Sequence, residues 1–412
     1  MKGLVGEISG LKNSLDILYG KESNGQIDRY DRLLTEFNKL YSEKSCYFAS
    51  SSGRVEICGN HVDHNGGSVI SAGIDLDTVC AFNVNGTDTV NIYSEGYGSF
   101  SVDLNRKGFK VESTPSALVF GVAKELNKKG YRIGGFNAVI QSNVLSGAGI
   151  SSSASFEVLI AKIISFLFND DKVTNEELAV VSKIAECDYF GKPCGLLDQT
   201  AISYGGLNLL DFSENGKIKV TGATKFFDDY SLVLINTGGS HENLTDEYAS
   251  IPRDMFSVAK CFGKERLIDI DEEDFFKAIP DLCGKLSDKA ILRAIHFYNE
   301  NNRAKHAFSC VESGDYKGFI EDIKNSGKSS ICYLQNCYVA TSSEQPIVKA
   351  IALSERFNKD GATRVHGGGF AGTILNIVRK DQVKSFIKNM SSYYDKKDII
   401  LLNVRSSGVT VL

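Results

Sequence analysis

Residues 144–168, VLSGAGISSSASFEVLIAKIISFLF, pass from a run of glycine and serine straight into an apolar run. The small residues Gly147 to Ser153, Gly149 among them, let backbone N–H groups converge on an anion. The apolar pattern after Ser155 predicts a helix whose N-terminus favours negative charge. Ser151, Ser152 and Ser153 add hydroxyl donors and a potential magnesium ligand. A serine-rich helix cap explains the same residues equally well, although a cap needs only one of them. The apolar part, 158–168, is too short to span a bilayer and carries Lys162.

A chain of 412 residues exceeds the usual size of a single core, so two domains are expected. The change of character near 205–230 places them at 1–212 and 213–412. A net charge of -5 with no basic patch argues against nucleic-acid and anionic-membrane partners. The ten cysteines contain no CxxC pair, which fits free thiols in a reducing compartment. No continuous apolar segment marks the N-terminus as a signal peptide, and the expectation is a cytoplasmic protein.

Helical spacing covers 1–45, and 47–104 turn β-rich. Helices are predicted over 115–130 and 151–190, strands at GGLNLLDFS and YSLVLINTG, a mainly helical stretch over 242–358, and a closing β/α segment. Two glycine motifs mislead. GKSS at 327–330 has Asp322 where a Walker A loop needs glycine, and a helical pattern precedes it. GGGFAG at 367–372 fits G-x-G-x-x-G, but the strand-like TILNIV follows it where a dinucleotide fold needs a helix.

The segment AECDYFGKPCGLLDQ separates Glu186 from Asp198 by twelve residues, with Gly191, Pro193 and Gly195 between them. One carboxylate on a helix and another beyond a turn can reach one pocket. Phosphoryl transfer requires that division, one group holding magnesium and the other orienting or deprotonating the attacking hydroxyl. A third segment, SGRVEICGNHVDHNGG at 52–67, is open to three readings: a metal site through His61, Asp63 and His64, a sugar site, or a plain loop.

Together these segments resemble the galactokinases, in the superfamily that also holds the homoserine, mevalonate and phosphomevalonate kinases. GRVEICGNHVDHNGG is similar to GRxNxIGEHxDYxxG, GAGISSSAS to GAGLSSSAS, PCGLLDQ to PCGxxDQ, RAIHFYNENNR to RAxHxxxEnxR, and GGGFAG to GGGFxG, all in the same order. The resemblance implies an α/β (α+β) kinase of two domains with the active site between them, a monomer acting on a small-molecule sugar and ATP with Mg2+. It implies transfer of the γ-phosphoryl group to the C1 hydroxyl of galactose. Asp198 would face that hydroxyl with Arg54 beside it, while Ser153 and Glu186 would ligate magnesium. Gly147, Gly149, Ser151, Ser152 and Ser153 would cradle the ATP phosphates, and Gly367, Gly368 and Gly369 would help to close the site. Asn60, His61, Asp63 and Tyr248 fall at sugar-contacting positions. This reads the 52–67 segment as a sugar site.

Departures from the pattern bear on substrate. Asn60 stands where galactokinases carry glutamate near the C6 hydroxyl, and His64 replaces tyrosine. A lost negative charge at position 60 would admit a C6 carboxylate, so galacturonate is a rival substrate. A catalytically silent sugar- and ATP-responsive regulator is the alternative of a different class.

Overall fold

The computed structural model describes every residue except 1, 2, 21, 22, 146, 148, 226–228 and 239–243. Its first sheet contains β1 (Tyr47–Cys58), β2 (Ser68–Val84), β3 (Thr89–Ser94), β4 (Gly98–Asp103), β5 (Phe136–Ser142), β6 (Leu207–Asp211) and β7 (Lys219–Gly222). The order is β1-β2-β5-β3-β4, with β6 and β7 continuing from the early part of β2. Only the β3–β5 pairing in this sheet is parallel.

Period-two alternation along these strands divides two cores. Phe48, Val79, Ala81 and Val139 face α1 (Lys12–Tyr19) and α2 (Ser23–Tyr41). Their neighbours Ala49, Cys80, Phe82, Ala138 and Ile140 face the opposite layer. That layer holds α3 (Pro115–Lys128), α4 (Ser152–Phe168), α5 (Asn175–Ile184) and α6 (Leu197–Tyr204). The helix starts follow local chemistry. Thr114 caps α3 with Pro115 in its first turn, and Thr174 and Glu177 form a reciprocal capping box on α5.

In the second half, α7 (Thr245–Cys261) and α8 (Glu272–Leu282) precede the long α9 (Asp288–Ser313) and α10 (Tyr316–Ser329). A four-stranded antiparallel sheet follows, ordered β11-β8-β10-β9, from β8 (Tyr230–Asn236), β9 (Ala362–His366), β10 (Thr373–Arg379) and β11 (Ile399–Leu402). Apolar residues of α9 and α10, including Phe308, Val311 and Ile323, pack in one cluster with Val55 and Ile70 of the first sheet and Leu234 and Leu375 of the second. The other face of the second sheet packs on α11 (Pro346–Phe357) and α12 (Val383–Met390). The chain then returns to the first sheet, where β12 (Thr410–Val411) pairs with Ala49 and Ser50 of β1.

Both misleading glycine motifs are resolved by this topology. GKSS falls at the end of α10, and 367–372 is the turn of the antiparallel β9–β10 hairpin, with His366 opposite Thr373. All ten cysteines are free thiols. Among the described residues no helix is long and apolar enough to cross a membrane.

The N-terminal helices are anchored by one buried anion. Asp77 of β2 accepts hydrogen bonds from Arg29 of α2 at 2.6 Å, from Tyr19 of α1 at 2.6 Å, from Arg405 at 3.1 Å, and from Ser50. Burial alone would raise its pKa, but Arg29 and Arg405 hold the carboxyl below its ordinary value.

Candidate active site

A bulge in β1 aims the first functional side chain. The β1–β2 register slips between Ser52 and Arg54, and at the intervening Gly53 a Cβ would meet Ile150 O at 3.0 Å. That close approach lets Arg54 N–H donate to Ile150 O at 3.2 Å, joining the strand to the glycine–serine loop. The Arg54 guanidinium donates to Gly149 O at 2.5 Å and through Nε to Asp198 Oδ1 at 2.8 Å. Asp198 lies in the first turn of α6, its side chain 34% exposed, and its second oxygen accepts the Ser151 hydroxyl. Strand, loop and helix thus meet on one carboxylate.

The loop geometry separates the phosphate and cap readings. Ser151 is the N-cap of α4 in the left-handed region (φ 65°), yet its side chain makes no capping bond; its hydroxyl is directed at Asp198 instead. The first N–H groups of a 17-residue helix are therefore not capped by this serine, as an anion site requires. Gly147 and Gly149 take φ of 80° and 70°. Ser146 and Ala148 of this loop lie outside the described residues. His366 and Thr373 of the second sheet would lie 3.6 and 3.4 Å from a Cβ on Gly149, so both sheets border the loop. Burial, with Arg54 and Arg364 nearby, pushes His366 well below its ordinary pKa and keeps it neutral.

Ser153 Oγ donates to Glu186 Oε1 at 2.8 Å. Glu186 sits in a π-helical turn, Ala185–Phe190, and its other oxygen accepts from Gln199 Nε2 at 2.8 Å. Gln199 also reaches Glu157 Oε2 at 3.3 Å, while Glu157 Oε1 is buried with no partner among the described residues. Burial and the adjacent Glu186 push the Glu157 carboxyl well above its ordinary pKa. Two hard oxygens, Ser153 Oγ and Glu186 Oε1, beside a helix N-terminus are of the donor type that a magnesium ion takes.

On the other side of Asp198 a cavity of about 470 Å³ is lined by Arg54, Glu56, Asn60, His61, Asp63 and Tyr248, with Gly367 and Gly368 at its edge. The predicted sugar residues therefore share one concavity with the predicted base. The turn 367–369 is held over it by three carbonyls. Gly367 O accepts from Asn60 Nδ2 at 2.8 Å, Gly368 O from His61 Nε2 at 3.0 Å, and Gly369 O from Tyr248 Oη at 2.8 Å. A Cβ on Gly368 would come within 2.4 Å of the Tyr248 ring, so only glycine permits this approach.

Asn60 is engaged by protein on every side. Its amide N–H groups go to Gly367 O and to Glu56 Oε1 (2.9 Å), and its oxygen accepts from Asn336 at 2.8 Å. His296 of α9 holds its backbone carbonyl at 2.9 Å. The carboxylate here belongs to Glu56, two residues beyond Arg54 on the same face of β1. Its Oε1 is shared with the fully buried Arg364 at 2.9 Å. Glu56 was not singled out from the sequence, although the signal was present. In GRVEICGNH, glutamate and asparagine have exchanged the places they hold in GRxNxIGEH.

The imidazoles of the 52–67 segment are turned to different partners. His61 donates to Gly368 O, while His64 accepts from Asn65 Nδ2 at 2.8 Å and packs edge-on against Phe256. Burial, with His61 and His296 nearby, lowers His64 to about 3. Among the described residues the three-membered group of metal-binding type is His306, Cys310 and Asp322, on α9 and α10. Asp63 is raised to about 6 by burial and by the charges of Glu56 and Asp198.

A strand-held arginine, an uncapped helix behind a glycine–serine loop and a carboxylate joining them define a kinase of the GHMP class. The GHMP kinase N-terminal domain matches residues 117–206, and the galactokinase galactose-binding signature matches residues 35–84. A galactokinase of Clostridium tetani is 30% identical over 371 residues, covering 89% of this chain and 92% of that protein. The chain belongs to the galactokinase family. A crystal structure of Lactococcus lactis galactokinase complexed with galactose superposes with a TM-score of 0.79 at 27% identity, covering 93% of this chain and 100% of that one. A more distant likeness is to L. major mevalonate kinase, in complex with R-mevalonate, which shares the fold at a TM-score of 0.58 and 18% identity, over 87% of this chain and 96% of that one.

Proposed function

We propose that this protein phosphorylates the C1 hydroxyl of galactose with ATP, giving galactose 1-phosphate and ADP. The observation that carries this reading is Asp198, which is bonded at once to Arg54 and to Ser151 of the phosphate loop while it lines the sugar cavity. The N–H groups of Gly147 and of residues 149 to 153 bind the ATP phosphates, and Asp198 faces the attacking hydroxyl. When sugar binds, Asp198 Oδ2 exchanges the Ser151 hydroxyl for the C1 hydroxyl and accepts its proton. The sugar oxygen then bonds to the γ-phosphorus as the bond to the ADP oxygen breaks. Arg54 holds Asp198 in place through its guanidinium and stabilises charge on the group in flight. Ser153 and Glu186 would hold Mg2+, which would supply counter-charge to the phosphates.

In the cavity, Asp63 and Glu56 accept sugar hydroxyls, and the turn 367–369 excludes water. The carboxylate of Glu56 stands where the loss of charge at Asn60 would otherwise favour galacturonate, so three carboxylates, Glu56, Asp63 and Asp198, face an incoming sugar. That arrangement favours a neutral substrate. A silent regulator is disfavoured because Arg54 and Ser151 are both bonded to Asp198, and Ser153 is bonded to Glu186.

The test is ADP release from ATP with galactose, galacturonate, N-acetylgalactosamine and glucose, with and without Mg2+. Turnover on galactose with a strong preference over galacturonate is expected. Binding of sugar with no ADP release from any of the four would refute the reading.

A further inference from the structure

The seat formed by Ser153 and Glu186 is already engaged by a cation of the chain itself. Lys192 Nζ lies 2.6 Å from Glu186 Oε1, the oxygen that also accepts the Ser153 hydroxyl at 2.8 Å. The contact is built by local geometry. Gly191 ends the π-helical turn in the left-handed region, and the Lys192 backbone N–H returns to Glu186 O at 3.0 Å, while Pro193 restricts the backbone beyond it. Glu186 is nearly fully buried, whereas the Lys192 side chain is 58% exposed and has open space into which to withdraw.

The geometry points to Lys192 as a resident cation that holds the magnesium seat when no metal–nucleotide is bound and leaves it when one arrives. This inference rests on the proposed kinase reading. A carboxylate oxygen that receives both an ammonium and a hydroxyl has no lone pair directed at a third partner, so a metal at about 2.1 Å must displace one of them. The Ser153 hydroxyl can stay on as a co-ligand; the ammonium cannot. Lys192 then has two effects of the same sign. It screens Glu186 against the phosphates of metal-free nucleotide, and it competes with Mg2+ for Glu186. Both make the enzyme less dependent on metal for nucleotide binding.

The test is calorimetric and needs no turnover. The affinity of the full chain for a non-hydrolysable ATP analogue is measured in EDTA and at saturating Mg2+, and the ratio of the two dissociation constants is the metal–nucleotide coupling. Lys192→Met is expected to raise that coupling about three- to tenfold, the scale of a partly exposed ion pair. Lys192→Arg, which keeps the charge, is expected to stay near wild type. An unchanged coupling in Lys192→Met, with both affinities weakened together, would overturn the inference and make Lys192 a simple phosphate contact. Lys192→Arg behaving as Lys192→Met would also overturn it, since charge would then not be the cause. Failure of the wild type to bind the analogue at all would instead remove the nucleotide reading on which the inference stands.

Discussion

Replacing Glu56 by glutamine tests both the electrostatics and the substrate assignment of the cavity. The substitution keeps shape and removes one of three carboxylates facing the sugar. A substrate carboxylate roughly 5 Å from Glu56 would be repelled by about 3 kcal/mol at an effective dielectric constant of ~20. The counter-charge of Arg364, 2.9 Å from Glu56 Oε1, reduces this to about 1.5 kcal/mol, or about tenfold. Glu56→Gln should therefore raise the kcat/KM ratio of galacturonate over galactose about tenfold, chiefly through relief of the repulsion on the galacturonate carboxylate. It should also destabilise the fold by about 3 kcal/mol, because the buried Arg364 loses its ionic partner. Steady-state kinetics on both sugars and urea unfolding measure the two effects. A substrate ratio within twofold of wild type, in a variant that is folded, would refute the assignment of Glu56 to selectivity.

Asp198→Asn should lower kcat about 10²- to 10⁴-fold with a modest change in galactose affinity, read by ADP release and sugar titration; near-normal kcat would sink its role as base. Because the ionised Asp63 accepts two hydroxyls more strongly than the protonated form and its pKa is raised to about 6, kcat/KM for galactose should fall as pH drops below about 6, and this limb should vanish in Asp63→Asn. The stability sign is opposite. A carboxyl raised from 3.8 to about 6 by folding contributes stability that is full below 3.8 and lost as pH rises through about 6, so Asp63→Asn should melt higher than wild type at pH 8. Asp77→Asn leaves Arg29 and Arg405 without their shared anion and should cost about 3–5 kcal/mol in urea unfolding. Since the pKa of Asp77 is lowered, the stability it adds is present above the unfolded value of 3.8 and lost as pH falls below it.

Residues close in sequence, or carried by a motif, were legible in advance. The helix after Ser151 follows from a short segment whose chemistry is local, whereas the association of Glu186 with Ser153 was implied by the family resemblance of two motifs 33 residues apart. Partnerships that cross the chain were not. Asn60 pointed to a sugar contact, but its amide is taken up by Gly367 and by Asn336, the latter 276 residues away. Arg364, which compensates Glu56, lies 308 residues on, in a strand whose pattern announces only burial. The N-terminal helices had no assigned purpose, because their anchor Asp77 is recognised as buried only once Arg29, Tyr19 and Arg405 are brought around it. Lys192 could not be placed on Glu186 without the π-helical turn, which leaves no periodicity in six residues.

The pairing of β12 with β1 has a bearing on biosynthesis. Arg54 lies on a strand whose outer edge, at Ala49 and Ser50, is covered by Val411 and Thr410. Arg405 crosses to Ser50 and Asp77 in the same region. A ribosome must therefore translate past residue 411 before this edge can be covered, so the earlier part of the sheet waits with an open flank through most of synthesis. Chains broken off before that point would expose an adhesive strand next to an unfinished active site, which makes them natural clients for chaperones and proteases.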